Sequence, residues 1–130
     1  MAALATWHSD HEAALETLDG IDACLIAHVG FETASVLSRL PEGLRMAAPL
    51  VVASLSDDFP ARWFTLDGTR TRRALESAVA AGLRGGALYD ALIAATAAHN
   101  GLRLLSADRR ARRTYEALGA DVIYVGAARS

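Results

Sequence analysis

Four short, mostly apolar runs, residues 23–26, 63–66, 102–105 and 122–125, are separated by longer segments with helical spacing. Runs this short do not make helices, and they lack the strict alternation of a half-solvated strand. They read as strands buried on both faces. Buried strands alternating with helices specify an α/β fold, a parallel sheet covered by helices on both sides. No internal repeat, low-complexity tract or linker interrupts the 130 residues, so one domain accounts for the chain.

The helix signals around these runs are local. Residues 1–7 read as helix, and Ser9 opens a capping box with Glu12 for a second helix to about residue 18, stopped by Gly20. A third spans about residues 28–40 and ends before Pro41. Pro49 fits the first turn of a helix running to about residue 55. Asp67-Gly68-Thr69 turns into a helix whose apolar stripe is Leu75, Ala78 and Val79, closed by Gly82. Gly85-Gly86 precedes a helix to His99 that Asn100-Gly101 ends. The last helix starts at Arg109, places Ala111, Tyr115 and Leu118 on one face, and stops at Gly119.

Composition narrows the function classes. No apolar run approaches the ~20 residues of a membrane span. The N-terminus lacks the basic flank and long apolar core of a signal peptide. The single cysteine, Cys24, excludes an internal disulfide and suits a reducing cytoplasm; in its apolar run it reads as an inert thiol. A net charge of −2 exerts no overall pull on nucleic acid. All 13 basic residues are arginine, however, and they cluster at Arg70, Arg72 and Arg73 and at Arg109, Arg110, Arg112 and Arg113. Guanidinium forks suit phosphate and carboxylate recognition, and the same clusters also read as solvated helix faces. The absence of lysine argues against a phosphoacceptor signalling domain, which uses one near its phosphoryl group.

Three carboxylates sit where the pattern is otherwise apolar. Glu32 is in line with Val29, Val36 and Leu40 at helical spacing, Asp90 is the only charge in its helix, and Asp108 follows a buried strand. The carboxyl edge of the strands is where open α/β sheets place their ligands. Each acid also has a structural reading. Asp108 is a good N-cap, Asp90 lies in a first turn where the helix dipole favours an anion, and Glu32 can turn outward or pair with an arginine. Taken together they point to a bound cation, since unneutralised charges ~4 Å apart repel by about 4 kcal/mol at an effective dielectric of 20. Oxygen-only ligands favour Mg²⁺ or Mn²⁺ over zinc. His8 and His11 lack a third ligand nearby, and His28 and His99 show no evident acid partner and read as ordinary helix residues.

The residues from Gly85-Gly86 through Ala97, then Leu104-Leu105-Ser106-Ala107-Asp108-Arg109-Arg110-Ala111, then Tyr115-Glu116-Ala117-Leu118-Gly119, resemble the C-terminal half of a PIN domain, most closely of VapC toxins. Phe31-Glu32-Thr33-Ala34-Ser35-Val36-Leu37-Ser38-Arg39-Leu40-Pro41 resembles that family's second acidic motif, and Trp7-His8-Ser9-Asp10-His11 the end of its first helix. The resemblance implies a three-layer α/β/α PIN-like fold with a parallel sheet. It also implies a Mg²⁺-dependent endoribonuclease, the toxin of a type II toxin–antitoxin system. Glu32, Asp90 and Asp108 are then the catalytic, metal-coordinating acids, and Ser106 holds the place of a threonine or serine supporting them. The arginine clusters, Arg70, Arg72, Arg73, Arg109, Arg110, Arg112 and Arg113, would hold the RNA backbone with a salt-dependent affinity or bind an acidic antitoxin tail. A cognate VapB-type antitoxin and a homodimer are the implied partners.

One departure qualifies these expectations. The family begins with a strand ending in an aspartate, upstream of what is Met1 here, and Asp10, Asp19 and Asp22 lie too far along the chain to replace it. The expectation is an N-terminally truncated domain over residues 1–130, lacking the central strand between residues 23–26 and 102–105. That loss removes one acidic ligand and leaves unpaired backbone groups in the interior. The alternative to an active ribonuclease is therefore a catalytically impaired PIN-fold protein that binds antitoxin or RNA without cleavage.

Overall fold

A computed structural model describes residues 24–60 and 62–124. The helices expected over residues 1–7 and 9–18, the Ser9–Glu12 box, the His8–His11 pair and the question of a missing first strand lie outside those residues. Among the described residues the order is α1 (Ala27–Ser38), α2 (Ala48–Asp58), α3 (Gly68–Ala80), α4 (Ala87–His99), β1 (Arg103–Ser106), a 3₁₀ turn (Arg109–Ala111), α5 (Arg112–Ala117) and β2 (Asp121–Tyr124). Strands β1 and β2 pair in parallel, with Arg103 opposite Asp121 and Ser106 opposite Tyr124. This helix–strand alternation around a small parallel sheet is the expected α/β fold.

The first two expected strands are shorter than their apolar runs. The described part of the first run, residues 24–26, and residues 63–66 share one parallel bridge, Ile26 to Phe64, with Phe64 N donating to Leu25 O at 2.8 Å and Ala27 N to Phe64 O at 2.9 Å. The cause is local: α1 starts at Ala27, and Asp67 already caps α3 through its Oδ1, which accepts from Arg70 N at 2.8 Å. Helix entry on both sides leaves one residue each for the pairing. The two parallel pairs, Ile26–Phe64 and β1–β2, are not hydrogen-bonded to each other among the described residues.

Helix ends follow the punctuation closely. Pro49 sits in the first turn of α2, which continues one turn past residue 55 to Asp58. Helix α1 stops at Ser38 rather than residue 40, because Pro41 disfavours a helical Leu40 and the last turn tightens, with Arg39 N donating to Val36 O at 3.2 Å. The last helix begins as a 3₁₀ turn and becomes α-helical at Arg112. Gly101, with φ +65°, takes the left-handed conformation that ends α4.

Helix α3 corrects the predicted stripe. Ala78 is buried as expected and Ala74 joins it, whereas Leu75 and Val79 are 52% and 58% exposed. Successive residues are rotated by about 100° on a helix, so turning the two alanines towards α4 swings Leu75 and Val79 to the flank. Small side chains let α3 and α4 approach closely, and packing prevails over side-chain hydrophobicity. Leu75 instead lines a cavity of about 450 Å³ with Thr71, Leu88, Tyr89 and Leu92.

The core is built from Val29 and Leu37 of α1, Val51 and Leu55 of α2, Ile93, Ala94 and Ala97 of α4, Leu104 of β1, and Ala111 and Tyr115 beyond it. Gly30 is buried against Trp63: a Cβ there would lie 3.2 Å from Trp63 Cζ3. The indole is held by Nε1–H donating to Phe59 O at 3.3 Å, so the ring yields little. Gly30→Ala should gain about 1 kcal/mol of helix propensity and lose about 1–3 kcal/mol to overpacking. The expected net is a destabilisation of about 1 kcal/mol, read as a lower urea midpoint. A midpoint at or above wild type would show that Trp63 gives way.

Candidate functional site

The three acids come from separate elements. Glu32 projects from the second turn of α1, Asp90 from the first turn of α4, and Asp108 from the link between β1 and the 3₁₀ turn. Helix α4 packs against β1, and Asp90 lies near enough to Asp108 to feel its charge. Burial pushes the Asp90 carboxyl above its ordinary pKa, and the negative charges of Asp108 and Glu32 push it the same way. Their fields therefore overlap at Asp90. Among the described residues, however, no three His, Cys, Asp or Glu side chains close into a ligand shell.

Asp108 combines the cap and site readings. Its Oδ1 accepts from Arg110 N at 3.1 Å, capping the 3₁₀ turn, while its own N–H donates to Ser106 Oγ at 3.0 Å. Ser106 is fully buried at the end of β1, and its Oγ lies 3.3 Å from the Tyr115 hydroxyl, also fully buried. Burial drives the Tyr115 phenol well above its ordinary pKa, with Asp90 and Asp108 adding to the rise, so it stays protonated. A chain of hydrogen bonds thus runs from a core tyrosine through Ser106 to the backbone of Asp108. Ser106 supports an acid through the main chain.

Glu32 departs from its expected setting. The face of α1 turned to the core carries Val29, Gly30, Thr33 and Leu37, and Glu32 lies beside it with a side chain 25% exposed. Its Oε1 is 3.2 Å from His28 Nε2, whereas its Oε2 is buried and has no hydrogen-bond partner among the described residues. The His28 ring stacks on Tyr89, centroids 5.4 Å apart and planes within 6°. His28 therefore has an acid partner, contrary to the sequence expectation. The i, i+4 spacing of His28 and Glu32 was the available signal, since such residues are neighbours on a helix.

The donor set fits a hard divalent cation: carboxylate oxygens only, one of them buried without a partner, and one carboxyl disfavoured as an isolated anion. The arginines divide into two groups. Arg70 pairs with Asp67, Arg72 with Glu76 and Arg112 with Glu116, all on exposed helix faces. Arg109 lies over the Tyr124 ring, 5.4 Å from its centroid. Arg73, Arg110 and Arg113 are exposed and make no ion pair among the described residues.

The PIN domain family matches residues 1–117. The chain is 42% identical over 123 residues to ribonuclease VapC40 of Mycobacterium tuberculosis (strain CDC 1551 / Oshkosh), covering 94% of this chain and 90% of that protein. It is 38% identical over 117 residues to ribonuclease VapC27 of strain H37Rv, covering 89% and 84%. No solved structure gave a significant match. On the family match and these two relatives, the chain belongs to the PIN-domain family and has its curated kin among the VapC ribonucleases.

Proposed function

We propose that this chain is a metal-dependent endoribonuclease acting as the toxin of a type II toxin–antitoxin system. The observation that carries the reading is Asp90, half-buried and destabilised as an anion by its surroundings and by Asp108 and Glu32. The negative fields that overlap at this carboxyl suit a bound cation, and the ribonuclease relatives supply the reaction class. Glu32, Asp90 and Asp108 would hold Mg²⁺ or Mn²⁺. When bound, such a cation supplies Lewis acidity to phosphodiester hydrolysis.

The chain's own residues supply position and charge. Ser106 fixes the backbone of Asp108, and Tyr115 fixes Ser106. Arg73, Arg110 and Arg113 are the arginines best placed to bind RNA phosphates. Arg70, Arg72, Arg109 and Arg112 must first exchange or share existing partners. The same arginines suit the acidic tail of a cognate VapB-type antitoxin. A cytoplasmic homodimer completes the reading, and no helix among the described residues is long and apolar enough to cross a membrane.

The test is cleavage of labelled RNA by the purified chain with Mg²⁺, with Mn²⁺ and with excess chelator. Cleavage that chelation abolishes and added cation restores is the expected result. RNA binding without cleavage at any cation concentration would overturn the nuclease reading in favour of a binding protein. Cleavage indifferent to chelator would overturn the metal. Arg110→Ala with Arg113→Ala should weaken RNA binding and lower the slope of log affinity against log salt by about 1–2. An unchanged slope would remove these arginines from the interface.

A further inference from the structure

We propose that His28 and Tyr89 are a positioning pair that sets which oxygen of Glu32 faces the acidic site and how far Glu32 sits from Asp90. The inference rests on the reading of Glu32 as a metal-holding acid. A glutamate has three side-chain torsions, and one on a helix flank that is 25% exposed has several rotamers open to it. His28 removes that freedom. A carboxylate only accepts, so His28 Nε2 carries the proton and donates to Oε1 at 3.2 Å. Once Oε1 is committed, Oε2 is left buried with no hydrogen-bond partner among the described residues.

The histidine is itself held. Its ring lies flat on Tyr89, with planes 6° apart. Tyr89 immediately precedes Asp90 on α4, whereas His28 is one turn before Glu32 on α1. The stack therefore ties the helix carrying one acid to the helix carrying another. The contacts of the pair run to Glu32 through His28, and the pair acts through Glu32. Hydrogen-bond partners of metal-holding groups commonly change metal affinity by 10–100-fold when removed.

The experiment measures Mn²⁺ binding to the full chain by titration calorimetry, independently of RNA cleavage. Glu32→Gln serves as the reference loss. His28→Ala should weaken binding about tenfold or more. His28→Gln, which can place an amide N–H on Oε1, should recover a substantial part. Tyr89→Phe, which keeps the stack, should bind as wild type, and Tyr89→Ala should bind more weakly. Tyr89 is 57% exposed, so its truncation leaves the fold intact even if His28→Ala does not.

The outcomes separate the two claims. If wild type binds no Mn²⁺, or Glu32→Gln binds as well as wild type, the site reading falls and the inference with it. If Glu32→Gln weakens binding while His28→Ala and Tyr89→Ala do not, only the positioning role is overturned. His28→Gln binding as weakly as His28→Ala would likewise overturn it, because the hydrogen bond would then not be what matters.

Discussion

Replacing Asp90 by asparagine is expected to lower RNA cleavage by about 10²- to 10³-fold, since losing one metal-holding oxygen forfeits several kcal/mol of transition-state stabilisation. The same substitution is expected to stabilise the metal-free protein. Burial raises the Asp90 carboxyl above its ordinary value of 3.8, so the folded chain holds that proton more tightly than the unfolded chain. The contribution is fully present below the unfolded value and is lost as pH rises through the raised folded value. Asparagine carries no such charge. Thermal midpoints of the metal-free proteins near neutral pH should therefore put Asp90→Asn above wild type, and Mn²⁺ should close or reverse the gap. A midpoint below wild type would show that the Asp90 charge is already well compensated within the fold.

The second large effect concerns Tyr115. It is fully buried, belongs to the same core cluster as Ile93 and Leu104, and ends the hydrogen-bond chain that reaches Asp108. Tyr115→Ala removes a large core side chain and should cost about 3–5 kcal/mol. That is a large share of the 5–15 kcal/mol that holds a typical domain. Tyr115→Phe keeps the ring and deletes the hydroxyl, leaving buried Ser106 Oγ without that contact, at about 1 kcal/mol. Urea unfolding separates the two variants. Cleavage by Tyr115→Phe should fall modestly, because the Ser106–Asp108 link loses its anchor. A loss under 1 kcal/mol for Tyr115→Ala would mean that the ring is not central to the core, and wild-type cleavage by Tyr115→Phe would limit the chain to a packing role.

Much of this was legible in the residues because the signals are local. Pro49 and Asp67 mark helix starts, and Gly101 marks a stop, through φ restriction, a side-chain cap and a left-handed turn within a few residues. Glu32, Asp90 and Asp108 are legible for the same reason, as charges among apolar neighbours. What they contact was not legible. The cap on Asp108 is local and was anticipated, but the Tyr115–Ser106 contact spans a strand and a helix, and no spacing rule predicts it. Ala78 is buried as its place in the stripe predicts, but the burial of Ala74 in place of Leu75 and Val79 depends on how α4 packs against α3, which is a property of the partner helix.

The sequence by itself determined the α/β class and the boundaries of the described helices to within a turn, because backbone hydrogen bonding and turn chemistry act over a few neighbours. Only the tertiary structure decided that two apolar runs pair through a single bridge, that α3 turns its alanines inward, and that Glu32 is held by His28 against Tyr89 of another helix. Those outcomes depend on close packing between elements distant in the chain, where shape and charge complementarity outweigh the preference of any single residue.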